Sequence, residues 1–312
     1  MAFLTVAQQV LILFFLIAVG FVCGKIRFIN ENSAKTLTDI VLYFVTPCVL
    51  VRSFLEIPFS AQKLTELSLV LLISALIEVA MILLTFPLIR DADDSRQRMM
   101  RFAVIFSNAG FMGLPLQEAL LQEEGAFFGG AYIAIFNVCV WTYGLFLMSG
   151  DKKAISPKKA LLSPAILGVL IGFVLFLMPL FAPDFSLPAV LYTPINHLAN
   201  LNTPLPMIII GYYLSELDFK AAMKDVKCFY IIFLRIVLFP LFVLGALYLC
   251  GIRGSMLVSL TISVSTPTAA ITTMFAAKYD RYPGISCNIV SLSTLLTIIT
   301  MPLIVGLAGL IA

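Results

Sequence analysis

Two short segments of this chain place hydrogen-bonding side chains and helix breakers in the middle of long apolar runs. Residues 106–115 read Phe-Ser-Asn-Ala-Gly-Phe-Met-Gly-Leu-Pro, and residues 264–273 read Val-Ser-Thr-Pro-Thr-Ala-Ala-Ile-Thr-Thr. Asn108, Gly110, Gly113 and Pro115 disfavour a continuous helix, because proline removes a donor and glycine weakens the turn. Pro267 interrupts the second segment in the same way. Non-helical backbone at membrane depth survives only if it is buried in protein or lines a cavity. Where such a helix restarts, its free N–H groups and positive dipole end can hold an anion. Asn108, Ala109, Gly110, Gly113, Pro115, Ser265, Thr266, Pro267 and Thr268 therefore form a candidate anion site. Asn108, Ser265, Thr266 and Thr268 add side-chain donors. The structural alternative is a pair of kinked packing helices whose Ser and Thr hydroxyls bond back to their own backbone.

Two charges fall inside apolar runs. Glu78 is near the centre of residues 67–89, and an intramembrane carboxylate is costly enough to be functional by default. It is a candidate proton-coupling group, against the plainer reading of a hydrogen-bonded structural carboxyl. Arg235 follows 157 residues later, and either pairs with Glu78 or reaches toward the cytoplasm. Asn137 either lines the site or bonds a neighbouring helix. Trp141 is no obvious interface anchor. His197 reads as a satisfied structural histidine. Glu118, Glu123 and Glu124 read as a solvated external loop, and Asp91, Asp93 and Asp94 as a solvated cytoplasmic one.

The elements that must position these residues follow from composition. Of 312 residues, 61% are apolar and 12% charged, and mean hydropathy is +1.05. Soluble domains carry about twice that share of charge. A net charge of +3 argues for neither nucleic acid nor an acidic partner. The single histidine excludes a multi-histidine metal site and HExxH chemistry, no cofactor is expected, and six scattered cysteines read as free thiols.

About 20 apolar residues cross the hydrocarbon as a helix. Ten stretches qualify: 3–24, 36–55, 66–89, 102–121, 126–149, 160–181, 190–213, 228–250, 254–277 and 285–310. The first lacks a basic residue before it, so it reads as a membrane helix rather than a leader. The second, fourth, seventh and ninth are the least hydrophobic, because proline, glycine and polar residues interrupt them. Sixteen lysines and arginines fall in odd-numbered loops, against Arg52, Lys63 and Arg253 on the other side. The odd loops are therefore expected in the cytoplasm, with both termini outside.

Five spans on each side of a short loop give halves of opposite topology: 1–150, a linker at 151–159, and 160–312. The breakers recur between them. Thr46-Pro47 is answered by Thr203-Pro204 after 157 residues, and Ser107-Asn108 by Ser265-Thr266 after 158. Corresponding interrupted segments in inverted repeats point to a transporter's binding site.

The segments SNAGFMGLP, STPTAAITTMFAAKYD and LSTLLTIITMPLI resemble bacterial members of the auxin efflux carrier family, and the likeness runs along essentially the whole chain. Thr203-Pro204 followed by Met207 and Gly211 also fits. Plant members carry a long hydrophilic insert where only residues 150–159 stand here. The resemblance implies an all-α fold of ten helices in two inverted repeats, similar to sodium/proton antiporters and bile-acid symporters. It implies a scaffold from helices 1, 2, 6 and 7, which would mediate a homodimer, and a mobile transport domain from helices 3–5 and 8–10. Helices 4 and 9 would cross at Pro115 and Pro267, with Asn108 in the crossover-asparagine position and substrate carboxylate beside it. The ninth span has Ala and Thr after Pro267 where plant members have Gln-Gly and a second proline, so auxin itself is not carried over as substrate.

The expected activity is elevator-type transport of a small organic anion across the cell membrane, by uniport or proton coupling. The alternative is a sodium- or proton-coupled importer of the bile-acid type. An intramembrane enzyme would need a paired catalytic set, and neither GxSxG nor HExxH is present.

Overall fold

The computed structural model describes residues 3–151, 153, 158, 161–183, 185–216 and 225–312. Lys152, Lys159, Lys220 and Lys224, counted above toward the cytoplasmic side, and most of the expected linker lie outside the described residues. Every element among the described residues is helical, and the β-type feature is one isolated antiparallel bridge between Ser107 and Thr268.

In chain order the α-helices are α1 (Phe3–Lys25), α2 (Glu31–Ile40), α3 (Thr46–Glu56), α4 (Ala61–Leu88), α5 (Asp94–Ile105), α6 (Leu114–Cys139) and α7 (Leu145–Ser149). They continue with α8 (Pro164–Leu177), α9 (Ala189–Ala199), α10 (Pro204–Ser215), α11 (Val226–Phe233), α12 (Phe239–Leu249), α13 (Gly254–Ser265), α14 (Ile271–Lys278) and α15 (Pro283–Ile311). Among the described residues, six helical stretches are long and apolar enough to cross a membrane: Ala7–Lys25, Glu31–Glu56, Ala61–Leu88, Ala109–Ser149, Val226–Leu249 and Pro283–Ile311. Pro164–Leu180 and Gly254–Ser265 are shorter apolar helices. Phe15, Leu72, Leu76 and Leu83 are more than half exposed, as suits a surface solvated by lipid rather than water.

Ala109–Ser149 is not one rod. Gln122 has φ 54° and ψ −132°, and the chain doubles back there. A Cβ on Gly125 would lie 2.1 Å from the Gln117 carbonyl oxygen, and one on Gly129 1.7 Å from its side-chain oxygen. The reversal therefore depends on Gly125, whose neighbour is backbone, while at Gly129 the neighbour is the end of a side chain.

Prolines shape the remaining helices. π-helical turns occupy Val41–Val45, Ala109–Gly113, Val140–Gly144 and Leu234–Leu238. Three of the four end two residues before a proline, namely Pro47, Pro115 and Pro240. A proline removes one i→i−4 bond and crowds the carbonyl four residues back, and one wider turn absorbs both effects without breaking the helix. Thr46-Pro47 and Thr203-Pro204 consequently differ. The chain stays helical from Glu31 to Glu56, whereas Asn200–Asn202 is a 3₁₀ turn separating α9 from α10.

Glycines set the closest helix pairs. A Cβ on Gly211 in α10 would sit 2.0 Å from the Ile17 carbonyl oxygen of α1, and one on Gly20 2.1 Å from that of Ile208. Gly168 and Gly172 of α8 meet Pro47 and Phe54 of α3 in the same manner. In lipid, helix association rests on such close packing rather than on a hydrophobic drive. The Gly211→Leu variant is expected to force α1 from α10 and lower the thermal midpoint in detergent, at a cost of about 3 kcal/mol. An unchanged melting curve would show that this contact does not hold the pair.

Candidate functional site

The two interrupted segments meet. α5 ends at Ile105 and α13 at Ser265, and the extended residues after each lie antiparallel. The Asn108 N–H donates to the Pro267 carbonyl at 2.8 Å, and the Ala269 N–H donates to the Phe106 carbonyl at 2.9 Å. Each broken strand thus satisfies backbone groups of the other, which is what the absence of water demands. Gly113 packs against the crossing strand, where a Cβ would stand 3.2 Å from Thr266 Cγ2.

The break in the first segment lies at Ser107-Asn108, not at Pro115 as the family resemblance implied. Pro115 occupies the first turn of α6. That turn continues the π turn Ala109–Gly113, so the missing proline N–H falls inside a helix that restarts at Ala109, and the wider turn takes up the strain. Pro267 does lie in the break of its segment, between Ser265 and Ile271.

The expected polar donors divide into two kinds. Thr266 Oγ1 donates to the Ser263 carbonyl at 2.9 Å, and Thr268 Oγ1 to the Ala103 carbonyl at 3.0 Å. The Thr268 N–H donates to Ser293 Oγ of α15 at 3.2 Å. These groups hold the crossover together. Ser265 Oγ is buried without a partner, and Asn108 is 6% exposed. Ala109 is buried against the joint, while Gly110 is half-buried with nothing within 4 Å of where a Cβ would be. Open space therefore touches the restarting helix at Gly110, beside N–H groups that its first turn leaves without intrahelical partners. Asn137 Nδ2 donates to the Ile133 carbonyl of its own helix at 2.8 Å. Trp141 packs edge-on against Phe275 of α14.

Glu78 and Arg235 are both fully buried, and of the two alternatives for Arg235 neither is found: it forms no ion pair with Glu78. Arg235 instead donates to the carbonyls of Val104 at 3.1 Å, Val264 at 2.6 Å, and Thr266 at 3.1 Å from both Nε and Nη2. These oxygens belong to the ends of α5 and α13, where carbonyls lack helical partners and the dipoles are negative. One guanidinium caps two helices, and burial leaves it no route to the cytoplasmic surface. Glu78 Oε1 accepts from the Tyr132 hydroxyl at 3.0 Å, while Oε2 has no partner. Ser107 Oγ sits beside that hydroxyl but outside hydrogen-bonding geometry. Tyr132 thus stands between the carboxyl and the crossover strand. Its signal in the sequence is that a tyrosine in the apolar run 127–136 must find a partner for its hydroxyl.

Other acids also differ from expectation. Glu118 lies on α6, 18% exposed and paired with Arg52 at 2.5 Å, and Glu124 pairs with Lys63. Asp91 is only 6% exposed and accepts from Lys227 at 2.6 Å. That bond holds its carboxyl below the usual carboxylate range. A carboxylate count cannot reveal partners 66 or 136 residues away. His197 is exposed at the end of α9 rather than packed within the protein.

The family model for membrane transport proteins matches residues 5–305. This chain belongs to that family. The auxin efflux carriers belong to it too, as the sequence resemblance implied. An uncharacterized transporter of Methanothermobacter thermautotrophicus is 22% identical over 97% of this chain and 98% of its own. Another, of Methanocaldococcus jannaschii, is 26% identical over 87% of this chain and 88% of its own. The protein is a multi-pass membrane transporter and not an enzyme.

Replacing Arg235 by methionine strands three carbonyl-bearing residues in a dry interior. At 1–3 kcal/mol for each unsatisfied acceptor, the variant is expected to lose about 3 kcal/mol or more. Thermal unfolding of purified protein measures it, and Arg235→Lys should recover part through its three donors. Equal midpoints for wild type and the methionine variant would show that the capping is not structural.

Proposed function

We propose that the protein is a secondary carrier of small organic anions, mono- or dicarboxylates resembling malate, malonate or auxin-like acids, which works by elevator-type alternating access. The observation that carries this reading is the joint between Ser107 and Thr268, where two interrupted helices meet back to back with unfilled space at Gly110. On this reading the substrate carboxylate accepts from the first N–H groups of the helix restarting at Ala109 and from the Asn108 amide. Gly110, Gly113, Pro115, Ser265, Thr266, Pro267 and Thr268 shape the crossover around it. Helix N-termini facing an anion are a recurring feature of transporter sites.

The ten-span, two-repeat organisation belongs to the same proposal. The glycine-tight pairs α1 with α10 and α3 with α8 favour one rigid group made of spans 1, 2, 6 and 7. The remaining spans carry the crossover past it. Both termini face outward from the cell membrane, and a homodimer forms through the rigid group.

Coupling is assigned to Glu78. Its carboxyl accepts from the Tyr132 hydroxyl, so gain or loss of one proton alters that hydrogen bond in the buried interior. The runner-up, a sodium-coupled importer of the bile-acid type, fits less well. A sodium ion at the crossover would need backbone carbonyls, and Arg235 already engages three of them while adding a positive charge.

Uptake of radiolabelled malate, malonate and an aromatic acid into proteoliposomes, with proton or sodium gradients, tests the reading. At least one acid should move, and faster with a proton gradient than with a sodium gradient. Silence across the panel in every condition would sink the transporter assignment to organic anions. Asn108→Ala is expected to weaken apparent affinity roughly tenfold, the worth of one hydrogen bond to a charged group, without lowering the melting midpoint. Glu78→Gln should abolish the response to the proton gradient while sparing substrate exchange. A Gln variant still driven by that gradient removes Glu78 from coupling.

A further inference from the structure

A second polar centre lies away from the crossover. Arg52, near the end of α3, donates from Nη2 to Glu118 Oε1 of α6 at 2.5 Å. Its Nη1 donates to Asn200 Oδ1 at 2.8 Å and Asn196 Oδ1 at 3.0 Å. Asn202 Nδ2 donates to the other Glu118 oxygen at 3.2 Å. Glu56 stands 3.8 Å from Arg52 Nε and accepts from the Tyr192 hydroxyl at 2.8 Å. Three separate stretches of chain converge on one ion pair.

That pair borders a recess of about 300 Å³, whose wall includes Gln9, Arg52, Pro115, Glu118, Asn200 and Thr203. The volume suits a small carboxylate. Arg52 is 14% exposed and Glu118 18%, so neither is sealed from the recess. Two neutral amide oxygens, four residues apart, hold one arm of the guanidinium in place. The carboxylate on the other arm is monodentate, whereas a guanidinium fork matches a carboxylate best through two parallel bonds.

We propose that Arg52 is an outer binding subsite for the carboxylate of the transported anion, and that Glu118 occupies it as an intramolecular stand-in when no anion is bound. The inference rests on the reading of the protein as an organic-anion carrier and assigns it a further site. An entering carboxylate takes the guanidinium from Glu118, which keeps the Asn202 amide. The exchange also parts α3 from α6. On the elevator reading these are a fixed and a moving helix, so arrival of the anion releases a tie between them.

Equilibrium binding of radiolabelled malonate to the purified full-length chain tests the competition directly. Glu118→Gln keeps the side-chain shape and a contact for Asn202 but removes the rival charge, and should bind malonate at least about fivefold more tightly than wild type. Arg52→Gln should bind at least about tenfold more weakly, with Arg52→Lys between, because an ammonium lacks the fork. If Arg52→Gln does not fold, the Glu118→Gln arm decides alone. Glu118→Gln binding malonate no better than wild type overturns the proposal, and so does failure of both proteins to bind it at millimolar concentration. Tighter binding by Glu118→Gln, with no acid transported by wild type in proteoliposomes, supports the subsite and removes the carrier reading instead. Wild-type uptake left unchanged by Arg52→Gln removes the subsite and spares the carrier reading.

Discussion

A helix that stops inside a membrane leaves carbonyl groups that no water can reach, and here two helices stop against each other. Arg235 resolves both ends at once, reaching Val104 at the end of α5 and Val264 and Thr266 at the end of α13. Without that guanidinium the negative ends of two dipoles would face one another in a medium that scarcely screens them. The antiparallel joint of Phe106–Asn108 with Pro267–Ala269 satisfies the remaining backbone. Gly113, the packing of α13 against α6 and the hydroxyl bonds of Thr266 and Thr268 all presuppose this joint. Among the described residues it is where two helices end against each other, and Arg235, Thr266, Thr268 and Ser293 are arranged around it.

Much of this was legible in the order of residues. The apolar runs gave the helical class, and the punctuation at Ser107-Asn108 and Ser265-Pro267 marked both breaks. What could not be read was how each breaker acts. Pro47, Pro115 and Pro240 all follow π turns and interrupt nothing, whereas Asn108 and Pro267 lie where the helix ends. A proline behind a π turn and a proline at a break look alike in one dimension, because the difference lies in what satisfies the preceding carbonyls. Partners distant in sequence were equally hidden. Glu78 and Arg235 appeared matched by their spacing, yet each is drawn to nearer groups, a tyrosine hydroxyl and backbone oxygens.

The acids show the same limit. Glu118, Glu124 and Asp91 sit close to runs of other charges, the usual mark of a solvated loop. Each instead meets a cation from a distant segment. Apolar helices confine charged side chains to the ends of the bundle, so the few that exist are brought within reach of one another across long stretches of chain. The low charge content that identified the class of protein therefore goes with ion pairs that join distant segments.

The two arginines differ in what holds them, and the difference bears on function. Arg235 is bonded to backbone carbonyls, which cannot leave and cannot change charge, so its positive charge is a permanent property of the crossover. That favours an anion over a cation as the occupant of the neighbouring space at Gly110, because a sodium ion would meet both the charge and a shortage of free carbonyls. Arg52 is bonded on one side to a side-chain carboxylate, the same kind of group that a small organic anion carries. The inner guanidinium thus defines the sign of the field, while the outer one is poised for exchange. A carrier needs both properties, since a ligand must be attracted to the site and yet not held so firmly that it fails to leave.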